Sequence, residues 1–376
     1  ASDVYKRQQL RLGTNVQLLG ERRAGKTSLL KCCIARLRDE VPQLIPVYLN
    51  YREHHLIKGY ANAHRLLLAH MHATVVAQGR PDLPSELNMR GIILSSNPLP
   101  ETHYDTLTSV ADYQIDGLLE AYLRTLGEYS VGIALLLDEY EHLMRHTFGG
   151  QEGAFSHLRS LSSEPPPRQG IPKPLTYIVA GALPWDRLCH MIGSPELNNI
   201  GAVFFIEPLD FEAFQEMWEQ CLNDSSPTVR ERVAGADLEL AAIYELAGGW
   251  PFYGKIIGHL LSAGHHQENE FYEALLQHFG VIWSRLTPIE RKQLTIAEQG
   301  LPQRMDPSIR TLIRRGLLEI DQQKGRLRPR GRLWSQYIRE QLSETIPEAT
   351  GRRSEVLGAP EERLRLMVDE VAVLVA

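Results

Sequence analysis

Eight residues constrain this chain more than any others: Gly20-Glu21-Arg22-Arg23-Ala24-Gly25-Lys26-Thr27, a G-x-x-x-x-G-K-[ST] pattern. An apolar run over residues 15–20 leads into it, and Leu29, Cys33 and Leu37 follow at i, i+4 and i+8. The pattern therefore lies between a strand and an amphipathic helix. Glycine lets the backbone enter conformations that a Cβ forbids, so successive N–H groups can turn inward as a cradle for anionic oxygens. The positive end of the following helix adds to the attraction. Such a loop predicts polyphosphate binding by Gly20, Arg23, Ala24, Gly25, Lys26, Thr27 and Ser28. Within it Lys26, counted among the catalytic residues, bridges the β- and γ-phosphates, and the Thr27 hydroxyl ligates Mg²⁺. Arg22 and Arg23 either reach phosphate or stay solvated.

Four further apolar runs, at residues 45–51, 132–138, 175–181 and 202–209, alternate with helical stripes such as Leu118, Leu119, Tyr122, Leu123 and Leu126. With the first run they predict an α/β domain built on a five-stranded, largely parallel sheet. The third run ends in Asp138-Glu139. Two carboxylates at the end of a buried strand, paired with a phosphate loop, predict that Asp138 holds Mg²⁺ through its water shell. Glu139 is then placed to polarise the water that attacks the γ-phosphate. The expected cofactors are ATP or ADP with Mg²⁺, with Thr27 and Asp138 at the metal and Glu139 as the base. Glu141, His142 and His146 follow, and the two histidines read as solvated or hydrogen-bonded rather than as a metal pair.

With 376 residues the chain has room for two to three domains. Its net charge of -6 excludes a protein that coats nucleic acid by bulk charge. No run approaches the ~18 apolar residues of a membrane span, so no membrane partner is expected. The four cysteines, Cys32, Cys33, Cys189 and Cys221, show no C-x-x-C spacing, which fits a reducing cytoplasm. Residues 1–8 read as a translated sequencing-library adapter and are set aside. The nucleotide-binding domain is expected over 9–209. Between its second and third strands, residues 52–130 carry a His-rich helix near 61–77 and a Pro/Ser/Asn-rich loop around 81–100. A helical lid over 210–280 opens with the stripe Phe211, Phe214, Met217 and Trp218. A third unit is expected over 281–345, and residues 346–376 are read as a linker and the start of a further module.

Within the lid lies Ala247-Gly248-Gly249-Trp250-Pro251-Phe252. Together with the phosphate loop and the acidic pair, it makes residues 12–342 resemble the STAND class of P-loop NTPases, signal-transduction ATPases with numerous domains, and within it the bacterial and archaeal AAA-like ATPases. The resemblance implies a sheet in the order 5-1-4-3-2 with the acidic pair on the third strand. It also implies that a Gly-x-Pro, here Gly249-Trp250-Pro251, packs on the nucleotide base, which makes Pro251 a binding residue. Members of the class often carry a polar or basic sensor at the end of the fourth strand. Here that strand ends Ala180-Gly181-Ala182, so γ-phosphate sensing falls to Arg187 or to a neighbouring subunit. The segment that usually precedes the first strand and grips adenine is absent, consistent with truncation.

Residues 281–340 hold thirteen Lys/Arg against six Asp/Glu, a local charge of +7 in a chain that is otherwise -13. Helix, helix, a helix started by Asp306 and then a hairpin around Gln323-Lys324-Gly325 read as a winged helix-turn-helix. Ile309, Leu312, Ile313 and Leu317 form the inward stripe of its third helix, leaving Arg310 and Arg314 outside. The second strand of the hairpin alternates Arg326, Arg328 and Arg330 with Leu327 and Pro329. In STAND-type ATPases such a module commonly clamps the closed state. The leading expectation is an ATP-hydrolysing signalling switch in which ADP/ATP exchange releases the winged helix and permits self-association, with an effector module fused or associated. The alternative is a DNA-acting ATPase of the initiator or transposition-helper kind that binds DNA through residues 306–332.

Overall fold

The computed structural model describes residues 14–54, 59–80, 83, 87–89, 91–142, 157, 160–163, 173–182, 201–236, 238–321 and 324–345. The chain divides into two units, Ala1–Glu21 with Gly25–Ile206, and Arg22–Ala24 with Glu207–Ala376. Residues 1–8 and 346–376, His146 and Arg187 lie outside the described residues.

In chain order the first unit contains β1 (Val16–Leu19), α1 (Lys26–Glu40), β2 (Leu44–Asn50), α2 (Tyr60–Ala77), β3 (Leu87–Met89), β4 (Ile92–Leu94), α3 (Pro100–Thr108), α4 (Ile115–Glu128), β5 (Gly132–Asp138), β6 (Leu175–Gly181) and β7 (Ala202–Phe205). Five strands form one sheet in the order β2-β5-β6-β1-β7, with every neighbouring pair parallel. This is the expected 5-1-4-3-2 order, and the strand ending in the acidic pair lies inside the sheet between β2 and β6. The apolar runs are unbroken because both faces of the sheet are covered. Ile45, Val47 and Leu49, Ile133, Leu135 and Leu137, and Tyr177 and Val179 enter one core with Leu67 and Met71 of α2 and Leu118 and Tyr122 of α4. The alternate residues Leu44, Ala134, Leu136, Ile178 and Ala180 enter the other core, with Leu30 and Leu37 of α1.

Two local expectations change. The stretch read as a loop around 81–100 contains the antiparallel hairpin β3–β4, with Gly91 at positive φ in its turn. Strands of three residues are too short to display alternation. The fifth strand ends at Phe205 rather than 209, close to Pro208, which has no N–H to give a ladder.

The second unit contains α5 (Phe211–Asp224), α6 (Pro227–Ala234), α7 (Leu240–Ala247), α8 (Pro251–Ser262), α9 (Glu268–Arg285), α10 (Pro288–Glu298), α11 (Pro307–Arg314), a hairpin of β8 (Leu318–Asp321) and β9 (Arg326–Pro329), and α12 (Arg332–Thr345). Four of its helices start where a side chain satisfies one of their first N–H groups: Asp210, Ser226, Thr287 and Asp306 each accept from the residue three on. The expected boundary at 280 falls inside α9, which runs through to Arg285. The reason is a shared core, in which Phe279 of α9 packs on Trp334 and Tyr337 of α12 at ring separations of 5.5 and 5.8 Å. Ile309, Leu312 and Leu317 are buried as the inward stripe requires. Among the described residues no helix is long and apolar enough to cross a membrane.

Candidate functional site

The phosphate loop leaves β1 at Gly20 and enters α1 at Lys26. Gly25, the residue that caps α1, has φ 91, a left-handed conformation that a Cβ would strain, and as a glycine it offers no side chain to the first N–H groups of the helix. Those donors are the feature that makes a helix start attractive to anions. Arg23 also takes positive φ, so the loop turns sharply twice within three residues. Lys26 is buried, and its ammonium donates to the carbonyls of Gly20 at 3.0 Å and Glu21 at 2.9 Å. Two of its three protons thus hold it along the loop, leaving the third. Thr27 and Ser28 follow in the first turn of α1, both exposed.

Asp138, at the end of β5, is almost fully buried. Its Oδ2 accepts from the Thr27 hydroxyl at 2.5 Å and from the Tyr48 hydroxyl at 3.1 Å, and its Oδ1 accepts from the backbone N–H of Glu139 at 3.0 Å. Burial and the neighbouring carboxylate raise the Tyr48 pKa, so the phenol stays protonated and keeps donating. Among the described residues the hydrogen bonds to Asp138 come from neutral donors. A carboxylate so buried is the kind of group that a cation stabilises strongly. The donor set, one hydroxyl and one carboxylate, consists of the hard oxygens that Mg²⁺ prefers. Glu139 has φ 52, a left-handed conformation uncommon for a residue with a side chain, directly after the strand.

At the end of β6 the turn that follows the acidic pair packs closely on the strand. Glu141 is buried, and its Oε1 accepts from the backbone N–H of Ala182 at 3.0 Å. A Cβ on Gly181 would lie 2.3 Å from both Glu141 and the ring of Tyr140. The Ala180-Gly181-Ala182 ending is small because the turn after the acidic pair packs onto it. Tyr48 and Glu141 are the residues here that sequence reasoning did not find. Tyr48 had a signal, a hydroxyl on a strand that pairs in register with β5; Glu141 had none that separates it from a surface carboxylate.

In the second unit, Arg23 places its guanidinium 4.4 Å over the ring of Phe252. Pro251 is the first residue of α8, after Gly248 and Gly249, both at positive φ. The arginines of the third helix and of the hairpin divide into two sets. Arg328 pairs with Glu319 at 2.7 Å and lies 3.8 Å from Glu245, while Arg330 donates to the carbonyl of Gly248 at 3.1 Å and lies 3.5 Å from Glu319. Arg310 and Arg314, one turn apart on α11, are exposed, as is Arg326.

The order of this parallel sheet, the left-handed loop and the buried lysine decide the fold. It is that of a P-loop NTPase. No protein-family model matches the sequence, and no curated protein matches it. Among solved structures, the Walker-type ATPase paby2304 of Pyrococcus abyssi matches with a TM-score of 0.53 at 16% identity, over 89% of this chain and 94% of that one. The ORC2 protein of Aeropyrum pernix, solved as ADPNP-ADP complexes, gives a TM-score of 0.40 at 12% identity over 91% and 93%. DnaA of Aquifex aeolicus bound to AMPPCP gives 0.34 at 10% identity over 100% and 93%.

Proposed function

We propose that the protein is a cytoplasmic, Mg²⁺-dependent ATPase whose C-terminal helices and hairpin form a winged helix that acts on DNA. The observation that carries the ATPase reading is the convergence of Lys26, Thr27 and Asp138, brought together from two motifs 111 residues apart. In this reading the N–H groups at the start of α1 and the remaining proton of Lys26 receive the β- and γ-phosphates. Thr27 and Asp138 hold Mg²⁺, which neutralises phosphate charge when bound. Glu139 takes the proton of the attacking water, and Pro251 packs against the base. Replacing Lys26 with alanine tests the reading directly: affinity for ATP and ADP is expected to collapse, and equal affinities in both proteins would overturn it.

The exposed pair Arg310 and Arg314 supports the DNA-acting output. Their helix is apolar on its other face, and neither arginine shares in the contacts that occupy Arg328 and Arg330. With α11 in the major groove, both would neutralise phosphates, so Arg310→Glu with Arg314→Glu should lower duplex affinity and flatten its salt dependence by roughly 0.9 per lost phosphate contact. A duplex affinity and salt slope equal to wild type would remove α11 from any DNA surface.

A second reading, the STAND-type switch that self-associates after nucleotide exchange, is supported by a different observation. Arg330 is bonded to the carbonyl of Gly248, three residues before Pro251. Loosening this contact with Arg330→Ala should speed ADP release if the hairpin acts as a clamp on the lid. Unaltered release would leave the DNA-acting reading alone.

A further inference from the structure

We propose that His64, Asp116 and His157 form a zinc-type divalent metal site in the first unit, separate from the phosphate loop. One ligand atom from each of the three lies within 4.8 Å of those of the others. The residues come from α2, from the start of α4 and from the connection between β5 and β6.

The hydrogen-bond arithmetic of the two rings points to a cation. The Nε2 of His157 lies 3.1 Å from Glu120 Oε1, a carboxylate that can only accept, so that nitrogen carries the proton. In the neutral ring the other nitrogen, Nδ1, is then a lone pair. It is buried without a hydrogen-bond partner and stands 3.7 Å from Asp116 Oδ1. Two electron-rich atoms therefore face each other. Asp116 Oδ1 is also the oxygen approached by His64 Nδ1 at 2.8 Å, in a side chain with no exposed surface, whose Nε2 is likewise buried without a partner. A metal ion between His64 Nδ1 and Asp116 Oδ1 takes the place of the N–H there, the proton of the neutral ring moving to Nε2, and gives the His157 lone pair a partner.

The surroundings have the form of a supporting shell. Tyr60, one turn before His64 on α2, donates to Asp116 Oδ2 at 2.5 Å, leaving Oδ1 for the ion. Glu120, one turn after Asp116 on α4, fixes the His157 tautomer through the ring nitrogen that is not a ligand. Carboxylates and hydroxyls that orient ligands in this way are the usual second layer of zinc sites. Two imidazoles and one carboxylate select a borderline ion such as Zn²⁺ over Mg²⁺ or Ca²⁺, and three protein ligands leave a position for water.

The test uses the full chain, stripped with chelator and returned to excess Mg²⁺ so that hard oxygen sites are occupied. Titration with Zn²⁺, and with Co²⁺ for its visible absorption, should give one equivalent bound and the intense bands of a four-coordinate ion. His157→Gln, at the partly exposed ligand, and Asp116→Asn should each weaken that binding by about tenfold or more. Zn²⁺ should raise the melting temperature of the wild type and leave that of His157→Gln unmoved. Circular dichroism of the two variants confirms that each is folded. Absence of one-equivalent binding in the wild type, or binding equal in wild type and folded His157→Gln, would overturn the site, leaving an imidazolium–carboxylate cluster.

Discussion

The hydroxyl of Thr27 and the carboxylate of Asp138 share a 2.5 Å hydrogen bond, so the first turn of α1 and the end of β5 meet at one point. If both hold the same Mg²⁺, their effects on MgATP binding are not additive. Thr27→Ala and Asp138→Asn should each weaken MgATP binding by about 10- to 100-fold, the range of roughly 1.5–3 kcal/mol for a hydrogen bond to a charged group. The double variant should be little worse than Asp138→Asn, and chelation of Mg²⁺ should bring the wild type down to the same level. Additive losses measured by titration calorimetry would place the two residues on separate tasks.

Glu139→Gln should separate hydrolysis from binding. The substitution keeps the size of the side chain and one acceptor oxygen but removes the base, so turnover should fall by about 10² or more while ATP remains bound. Single-turnover hydrolysis beside equilibrium ATP binding makes the comparison. Full turnover in this variant would assign the base elsewhere.

Pro251 opens α8, and its proposed contact is with the base, not the phosphates. Pro251→Ala should therefore weaken ATP and ADP alike and narrow the preference over GTP, with the Mg²⁺ dependence unchanged. Affinities and selectivity equal to wild type would leave Pro251 as a helix start alone.

The sheet and the phosphate loop are legible in the sequence for a physical reason. A parallel strand covered on both faces needs an unbroken apolar run, and a left-handed loop before a helix needs glycine, so both leave local marks. Strands 132–138 and 175–181 match the observed β5 and β6 to the residue. The partition of the arginines leaves no such mark. Whether Arg328 is free depends on Glu319 across the hairpin and on Glu245 of α7, charges assembled by tertiary packing. The same holds for His64, Asp116 and His157, which are separated by 52 and 41 residues. No spacing rule connects them, although each rests on an ordinary helical or loop segment.

Arg315 and Glu290 form a buried ion pair at 3.0 Å in the second unit, and Glu290 Oε2 accepts as well from the N–H and the hydroxyl of Thr287 at the start of α10. Removing the cation takes from this buried carboxylate the charged partner that stands 3.0 Å from it. Arg315→Met should cost roughly 3–5 kcal/mol of stability, and adding Glu290→Gln should recover a large part, since a neutral amide keeps an acceptor for the cap. Urea unfolding of both variants reads this out. A single variant as stable as wild type would mean that solvent reaches the pair.

Acid should weaken the first unit through the histidines of α2. His72 is fully buried, its Nε2 3.0 Å from the carbonyl of Ser95 and its ring edge-on to His103 at 4.6 Å. Burial lowers its pKa from 6.5 to about 4, and it lowers His70 to about 4 as well, with His54 nearby adding to the effect. The folded state thus keeps both rings neutral while the unfolded chain takes up protons below 6.5. Between those values the unfolded state binds more protons, so stability falls as pH falls. The contribution is complete above pH 6.5, is lost progressively towards pH 4, and loses nothing further below that. For a fully buried ring the loss reaches about 3 kcal/mol. Urea midpoints measured from pH 7 to pH 4 should fall steeply for the wild type and less steeply for His72→Gln, which keeps a donor for Ser95 but has no proton to gain. Equal slopes in the two proteins would mean that the acid sensitivity of this unit does not come from His72.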